Sequence, residues 1–149
     1  MKDGFIARVI SLVLIIIMFI ICPYIYSYSM TEWESRRVLL NDVSSFLDKV
    51  TDKRSISQDD LNEFSLQVAS SGKILNIKVE RLVKVYTKRK DGTINITYIV
   101  ADNNSELNPR DIVRVSLNEI TTSTYSKIMS TFLKLNEDNY SLTMSATVR

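Results

Sequence analysis

The stretch that decides the architecture is residues 9–21, which read VISLVLIIIMFII. Residues 22–28 follow as CPYIYSY and add no charge. A helix needs roughly 20 apolar residues to cross the hydrocarbon core of a bilayer, and residues 9–28 satisfy that length. Aromatic residues of the kind found at membrane interfaces come at its end and just beyond: Tyr24, Tyr26, Tyr28 and Trp33. The sequence therefore predicts a single transmembrane helix near the N-terminus.

The charges before this span predict its orientation in the membrane. Positive residues beside a span stay on the cytoplasmic side, and Lys2 and Arg8 precede this one. We therefore expect a cytoplasmic N-terminus, a membrane anchor at residues 1–30 and an extracytoplasmic domain at residues 31–149. The alternative is a cleaved secretory signal, because Ser27 and Ser29 are small residues at the positions that a signal peptidase reads. The bulky tyrosines around them favour the uncleaved anchor.

Composition argues against several classes of function for the external domain. The chain has 19 Lys and Arg residues against 17 Asp and Glu, so its charge gives no reason to expect nucleic-acid binding. It has no histidine, the commonest general base and a common zinc ligand. The only cysteine, Cys22, lies in the apolar stretch, which leaves the domain without a disulfide or a Cys-His metal site. We expect no catalytic residue, no cofactor, no metal and no small-molecule substrate, and we do not expect an enzyme.

A long helix is predicted to continue beyond the span. Apolar residues recur at spacings of three, four and seven over residues 31–51: Trp33, Leu39, Leu40, Val43, Phe46, Leu47 and Val50. Pro23 is the only helix breaker in between, which predicts one rod with a kink near that proline. Asp52-Lys53-Arg54 is expected to end the rod.

A second, short helix is predicted over residues 57–71. Ser57 and Asp60 have the spacing of a capping box, and Gly72 stands where a left-handed residue commonly ends a helix. The residues expected on its buried side are Leu61, Phe64, Leu66 and Val68.

Strands follow, because the apolar period changes to two. Residues 73–85 and 94–100 flank Lys90-Asp91-Gly92-Thr93, a strong hairpin signal. The alternation fails at Arg81–Leu82, which predicts a bulge there. A polar loop is expected at 102–111.

The rest of the chain predicts a strand at residues 112–117, a helix at 123–135 and a strand at 140–148. We expect the last strand to pair inside the sheet, because its alternating apolar residues would be an aggregation hazard at a free edge. The predicted fold class is α+β: a single N-terminal transmembrane helix continuing into a small extracytoplasmic domain with an antiparallel sheet of about four strands backed by helices.

Two polar clusters could carry a binding function. The hairpin tip and its approach hold four cations, Lys84, Lys88, Arg89 and Lys90. They read either as a solvated turn or as a contact for an anionic wall polymer or a partner subunit. Asp102 to Glu106 resembles the start of a calcium loop, but Leu107 and Val113 occupy the positions that need glycine and an acid, which favours an ordinary loop.

The segment order carries a family resemblance. Residues 46–57 read FLDKVTDKRSIS, Asp60-Leu61-Asn62-Glu63-Phe64 follow, and the first strand comes next. With the N-terminal apolar helix, the chain resembles the TadE-like, pilin-related proteins of Gram-positive bacteria, which accompany tight-adherence (Tad) type IV pilus and secretion machinery. The resemblance implies a minor pilin or pseudopilin at the cell membrane. Its expected partners are other pilin-like subunits or secretion-platform proteins.

The first residues both fit this family and depart from it. Pilin precursors are cut after a glycine and before a hydrophobic residue, behind a short basic leader. Gly4 and Phe5 fit that pattern and would form the prepilin-peptidase cleavage site. Pilins usually carry a glutamate at the fifth mature position, which is Val9 here. The competing interpretation is a membrane-tethered module that binds or senses a cell-wall polymer or peptide.

Overall fold

The computed structural model describes residues 2–102, 106–122, 126–127, 130–131 and 139–149. It confirms the predicted class: a long apolar N-terminal helix, a short helix and an open four-stranded antiparallel sheet. Most of the predicted helix at 123–135 and most of the candidate calcium segment lie outside the described residues; residues 126–127 and 130–131, which are described, are helical.

One helical rod runs from Lys2 to Lys53. It comprises α1 (Lys2–Ile16), a π-helical turn (Ile17–Ile21) and α2 (Cys22–Lys53). The π-helical turn ends two residues before Pro23, which cannot donate to the α-helical ladder, so the irregularity falls close to where the sequence predicts a kink. Arg54, with φ of 56°, ends the rod as predicted. The rod is long and apolar enough to cross a membrane.

The second half of the rod packs on the sheet and forms one side of the hydrophobic core. Its buried side chains recur at helical spacing and face β3 and β4: Leu39, Val43, Phe46, Leu47 and Val50. Trp33 and Leu40 were expected among them, but Trp33 is 68% exposed and Leu40 is 42% exposed. These two are seven residues apart on the neighbouring face of the helix. The sequence thus carries two parallel apolar stripes, and only one of them meets the sheet.

The short helix α3 (Gln58–Ser70) packs against α2 and β1. Its capping box is confirmed: the Asp60 amide donates to the Ser57 hydroxyl, and the Ser57 amide donates to the Asp60 carboxylate, each at 3.2 Å. Gly72 has the predicted positive φ, 73°. Phe64 stacks on Phe46 with ring centroids 4.4 Å apart. Leu66, expected on the buried side, is exposed because it lies about 200° around the helix from Phe64.

The sheet has the order β2-β1-β3-β4, and every neighbouring pair is antiparallel. Its strands are β1 (Leu75–Lys88), β2 (Ile94–Ala101), β3 (Ile112–Glu119) and β4 (Ser141–Thr147). The prediction that the last strand pairs inside the sheet is wrong, because β4 lies at the edge of the described sheet and pairs there with β3. Its apolar face avoids solvent by packing beneath α2.

The register divides β1 into two halves. Leu75–Leu82 pairs with β3, whereas Arg81–Lys88 pairs with β2. Both ladders run residue for residue through Arg81 and Leu82, so the predicted bulge is wrong. The alternation fails for another reason: Arg81 occupies a core-facing position and is buried as a charged residue.

Candidate functional site

The apolar anchor is bare in the described structure. Its large side chains are exposed from Phe5 through Ile21, and a Cβ built at Gly4 would meet nothing within 4 Å. Gly4 and Phe5, the predicted cleavage site, lie in the first turns of α1. An apolar surface of this length is stable only in lipid or against other apolar helices.

A cluster of buried charges joins the rod to the sheet at the end nearer the anchor, which we call the foot. Lys73 Nζ lies 2.5 Å from Glu32 Oε1 and 3.6 Å from Glu119 Oε1. All three side chains are less than a tenth exposed. Glu32 comes from α2, Glu119 from the end of β3, and Lys73 from the segment before β1. One lysine thus ties three elements together.

Two neighbours complete the foot. Arg36 Nε lies 3.1 Å from Glu32 Oε1, one helical turn away. The Arg36 guanidinium and the Lys73 ammonium lie 5.0 Å and 5.4 Å from the centroid of the Tyr140 ring, within the range of cation–π attraction. The Tyr140 amide donates to Glu119 Oε2 at 3.2 Å. The Tyr140 hydroxyl is buried and has no hydrogen-bond partner among the described residues.

The surroundings fix the protonation states at the foot. Burial opposes ionisation of Glu32, but the hydrogen bonds from Lys73 and Arg36 outweigh it and hold the pKa of the Glu32 carboxyl below its ordinary value. Burial raises the pKa of the Tyr140 hydroxyl, although the Arg36 charge opposes the shift. At neutral pH the Glu32 carboxylate is therefore ionised and faces Lys73 and Arg36.

The side chains of the foot are suited to holding the rod and the sheet together. Its carboxylates only accept hydrogen bonds, its cations only donate them, and each is engaged with a partner of opposite charge. Sequence reasoning missed the cluster because Glu32 and Lys73 are 41 residues apart and neither belongs to a motif. The available signal was a Glu32–Arg36 pair at a spacing of four, in line with the apolar stripe that begins at Leu39.

A second ionic contact fixes the two helices to each other. The Asp60 carboxylate receives Lys53 at 2.8 Å and Lys49 at 3.2 Å, and it is 6% exposed. The hydrogen bonds from Lys53 and Ser57 hold the pKa of the Asp60 carboxyl well below its ordinary value. The acidic start of α3 is thus a joint as well as a helix cap.

An apolar groove of about 530 Å³ lies beside the foot and the β4 edge. The exposed stripe of α2 forms one wall, with Met30, Trp33 and Leu40, and the start of β4 forms the other, with Tyr140 and Leu142. This groove explains where the second apolar stripe of the helix goes: it lines an open surface.

The predicted basic residues lie together at the opposite end of the molecule. Lys88 ends β1, and the turn runs through Lys90 and Gly92, with Arg89 N–H donating to Thr93 O at 2.8 Å and Gly92 N–H to Arg89 O at 3.0 Å. This is a three-residue loop with Gly92 at positive φ. Lys84 Nζ lies 5.3 Å from the centroid of the Tyr86 ring.

The comparisons with known proteins give no further constraint. No family model, no curated protein and no solved structure matches this chain. Among the residues that the structure describes, no group of three or more histidine, cysteine or acidic side chains could hold a metal ion.

Proposed function

We propose that this protein is a membrane-anchored structural subunit of a pilin-like assembly, a minor pilin or pseudopilin of a Tad-type pilus or secretion apparatus. Its N-terminus would lie in the cytoplasm and its domain outside the cell membrane. The observation that carries the proposal is the continuity of the rod: the helix that is bare and apolar in its first half is the core helix of the domain in its second half.

Continuity matters because a helix transmits rotation. A passive tether needs only length, and a loop between anchor and domain would serve. Here no residue between the bare half and the core leaves the helix, and each residue sets the azimuth of the domain by about 100°. The foot then fixes the sheet to the rod just above the span, through Glu32 and Lys73. Subunits that pack through their anchors would therefore present their domains in one defined direction.

The N-terminal residues support the same proposal. Gly4 and Phe5 match the processing pattern of pilin precursors. Val9 replaces the usual glutamate, which suits a subunit that sits at a tip or stays in the membrane. We expect its partners to be other pilin-like subunits or platform proteins of the apparatus.

Changing the phase of the rod tests this role. Inserting two alanines after Met30 rotates the domain by about 200° relative to the anchor, and the foot remains intact because the insertion precedes Glu32. A matched control inserts seven alanines, which returns the domain to within about 20° of its original azimuth. We expect the first variant to fold and reach the membrane but to lose its place in detergent-extracted complexes with partner subunits. The seven-alanine control should remain in a larger share of those complexes.

Equal assembly of the two-alanine variant and the unaltered chain would contradict the proposal. It would favour the second candidate, a tethered module that binds a wall polymer or peptide. The observation on which that candidate depends is the basic hairpin, which lies at the end of the domain away from the anchor.

The orientation has its own test. Protease added outside intact protoplasts should digest the domain, because Lys2 and Arg8 keep the N-terminus inside. Complete protection of the domain in sealed protoplasts would exclude both candidate functions, since each requires the domain outside.

A further inference from the structure

The hairpin of β1 and β2 extends beyond the core as a two-stranded arm, formed by residues 83–100. The core ends at Arg81, whose guanidinium lies 2.6 Å from the Asp111 carboxylate. Leu107 closes the same end, with its amide donating to Arg54 O at 2.9 Å. Beyond Leu82, β1 pairs with β2 and with no other strand that the structure describes. At about 3.3 Å per residue, the arm projects roughly 20 Å past the core.

The arm exposes apolar side chains instead of burying them. On the face opposite the helices, the exposed residues are Tyr86, Ile94, Ile96, Tyr98 and Val100. An isolated two-stranded hairpin is marginal in water, and an exposed apolar face of this kind usually marks an interaction site.

No strand among the described residues pairs with the outer edge of β2. The strand Ile94–Ala101 holds no charge, proline or glycine, the devices that usually guard an edge. Counting along the antiparallel ladder from the Arg89–Thr93 hydrogen bond, the backbone groups that point away from β1 belong to Ile94, Ile96, Tyr98 and Val100. The residues with open backbone groups are thus the ones that carry the exposed apolar side chains.

The charged residues of the arm are almost all basic. It carries Lys84, Lys88, Arg89 and Lys90. Its only acid, Asp91, accepts hydrogen bonds from Thr93 at the turn, and these hold the pKa of its carboxyl below the ordinary value. A partner that complements this arm is therefore acidic.

We propose that the arm binds an acidic, extended peptide segment of a partner protein, which adds as a fifth strand along β2. Backbone hydrogen bonds to the open groups of Ile96 and Tyr98 would give affinity, and alternate side chains of the segment would cover the apolar face. Acidic residues beside them would meet Lys88 and Lys90. The headgroups of the protein's own membrane are out of reach, because the 26 residues from Tyr28 to Arg54 place the arm about 39 Å above the span. The proposal does not depend on the role proposed for the anchor.

Panning a library of random extended peptides of about ten residues on the full chain in detergent tests the proposal. We expect the enriched peptides to be rich in Asp and Glu and to alternate with apolar residues. Each should lose about tenfold or more in affinity when a central residue is replaced by proline, because proline cannot complete the ladder. Enrichment of neutral or basic peptides, or indifference to the proline, would overturn the proposal.

Two variants of the protein locate the binding. Ile96→Pro removes an amide that points away from β1, so the hairpin should persist while binding falls by about tenfold or more. The double change Lys88→Glu and Lys90→Glu should abolish selection for acidic peptides. Arg114→Glu, an exposed change of the same sign on the same face but on β3, serves as the matched control and should leave binding unchanged.

Two results point to other partners and would also overturn the proposal. In the first, the arm binds a polyglycerol-phosphate polymer more tightly than any acidic peptide, with no effect of Ile96→Pro. That result would mean that the arm recognises negative charge alone. If the chain sediments as a dimer and the Ile96→Pro variant sediments as a monomer, a second copy of the chain occupies the outer edge of β2. Circular dichroism of each variant shows whether the sheet is retained, so loss of binding through unfolding is recognised.

Discussion

The two halves of β1 belong to one strand but lie in different environments. Leu75–Leu82 pairs with β3 and packs against α3, and its core-facing residues end in the buried Arg81. Residues 83–88 pair with β2 alone among the described strands and expose Tyr86. The difference shows that strand propensity alone does not define the domain. What separates core from arm is where the rod and β3 stop.

Charges follow the same division. At the foot, Lys73 is buried between two carboxylates, and its removal would leave Glu32 with Arg36 alone and Glu119 without an ion pair among the described residues. On the arm, Lys88, Arg89 and Lys90 make no ion pair with any residue that the structure describes. The foot therefore serves the folded state, and the arm is free to serve a partner.

The largest effect is expected from Lys73→Met. Breaking a buried ion pair by removing one partner costs about 3–5 kcal/mol of unfolding free energy. Lys88→Met on the arm is the matched control and should change stability by less than about 0.5 kcal/mol. Denaturant unfolding of the full chain in detergent measures both. Similar costs for the two lysines would break the distinction between foot and arm.

The next effect concerns apolar residues. Leu117→Ala removes a side chain that is fully buried between Ile77 and Leu142, and we expect a loss of about 2–5 kcal/mol. Ile96→Ala on the arm removes a half-exposed side chain and should cost less than about 1 kcal/mol. The same unfolding experiment checks the pair. A cost at Ile96 equal to that at Leu117 would mean that the arm is covered in the free protein.

Acid should weaken the core through the carboxyls that make its ion pairs. The carboxyls of Glu32 and Asp60 have a lowered pKa in the folded protein, so the unfolded chain binds more protons at acidic pH. Their contribution is complete at neutral pH and declines as the pH falls below about 4, where the unfolded carboxyls become protonated. The loss should be smaller than that of Lys73→Met, because protonation removes a charge and leaves the partner side chain in place. Thermal melts across this range test the sign, and a melting temperature that rises on acidification would contradict it.

The smallest effect is expected at the tip of the arm. Gly92 has φ of 86°, and valine there should cost about 1 kcal/mol or more. Because the arm lies outside the core, the cost should appear as faster amide exchange in β2, with β3 little affected. Gly92→Asn, which tolerates positive φ better, is the milder control. Equal acceleration of exchange in β2 and β3 would show that arm and core unfold together.

Much of the fold could be predicted from local patterns, and the errors have physical reasons. The capping box at Ser57 and Asp60, the left-handed Gly72 and the turn at Gly92 were predicted correctly, because each depends on residues within one turn. The predicted burial of Trp33 and Leu40 was wrong, since a helix with two apolar stripes does not say which one meets the sheet. The bulge at Arg81 was wrong because an arginine in a strand pattern looks like a break until its partner, Asp111, is known.

Of the candidate sites, the basic tip was predicted by residue, and the foot was missed. Lys88, Arg89 and Lys90 are consecutive residues, so the cluster is visible in the sequence itself. Glu32, Lys73 and Glu119 are brought together only when three elements meet.

The sequence by itself determined the long apolar N-terminal helix, its continuation as a rod and the alternation of the strands, because these depend on periodicity and on the length of an apolar stretch. Only the tertiary structure decided the strand order, the edge position of β4, the offset between β2 and β3 and the buried charges of the foot. These features depend on contacts between residues far apart along the chain. No local pattern encodes such contacts, because each half of a contact is an ordinary residue until the other half is beside it.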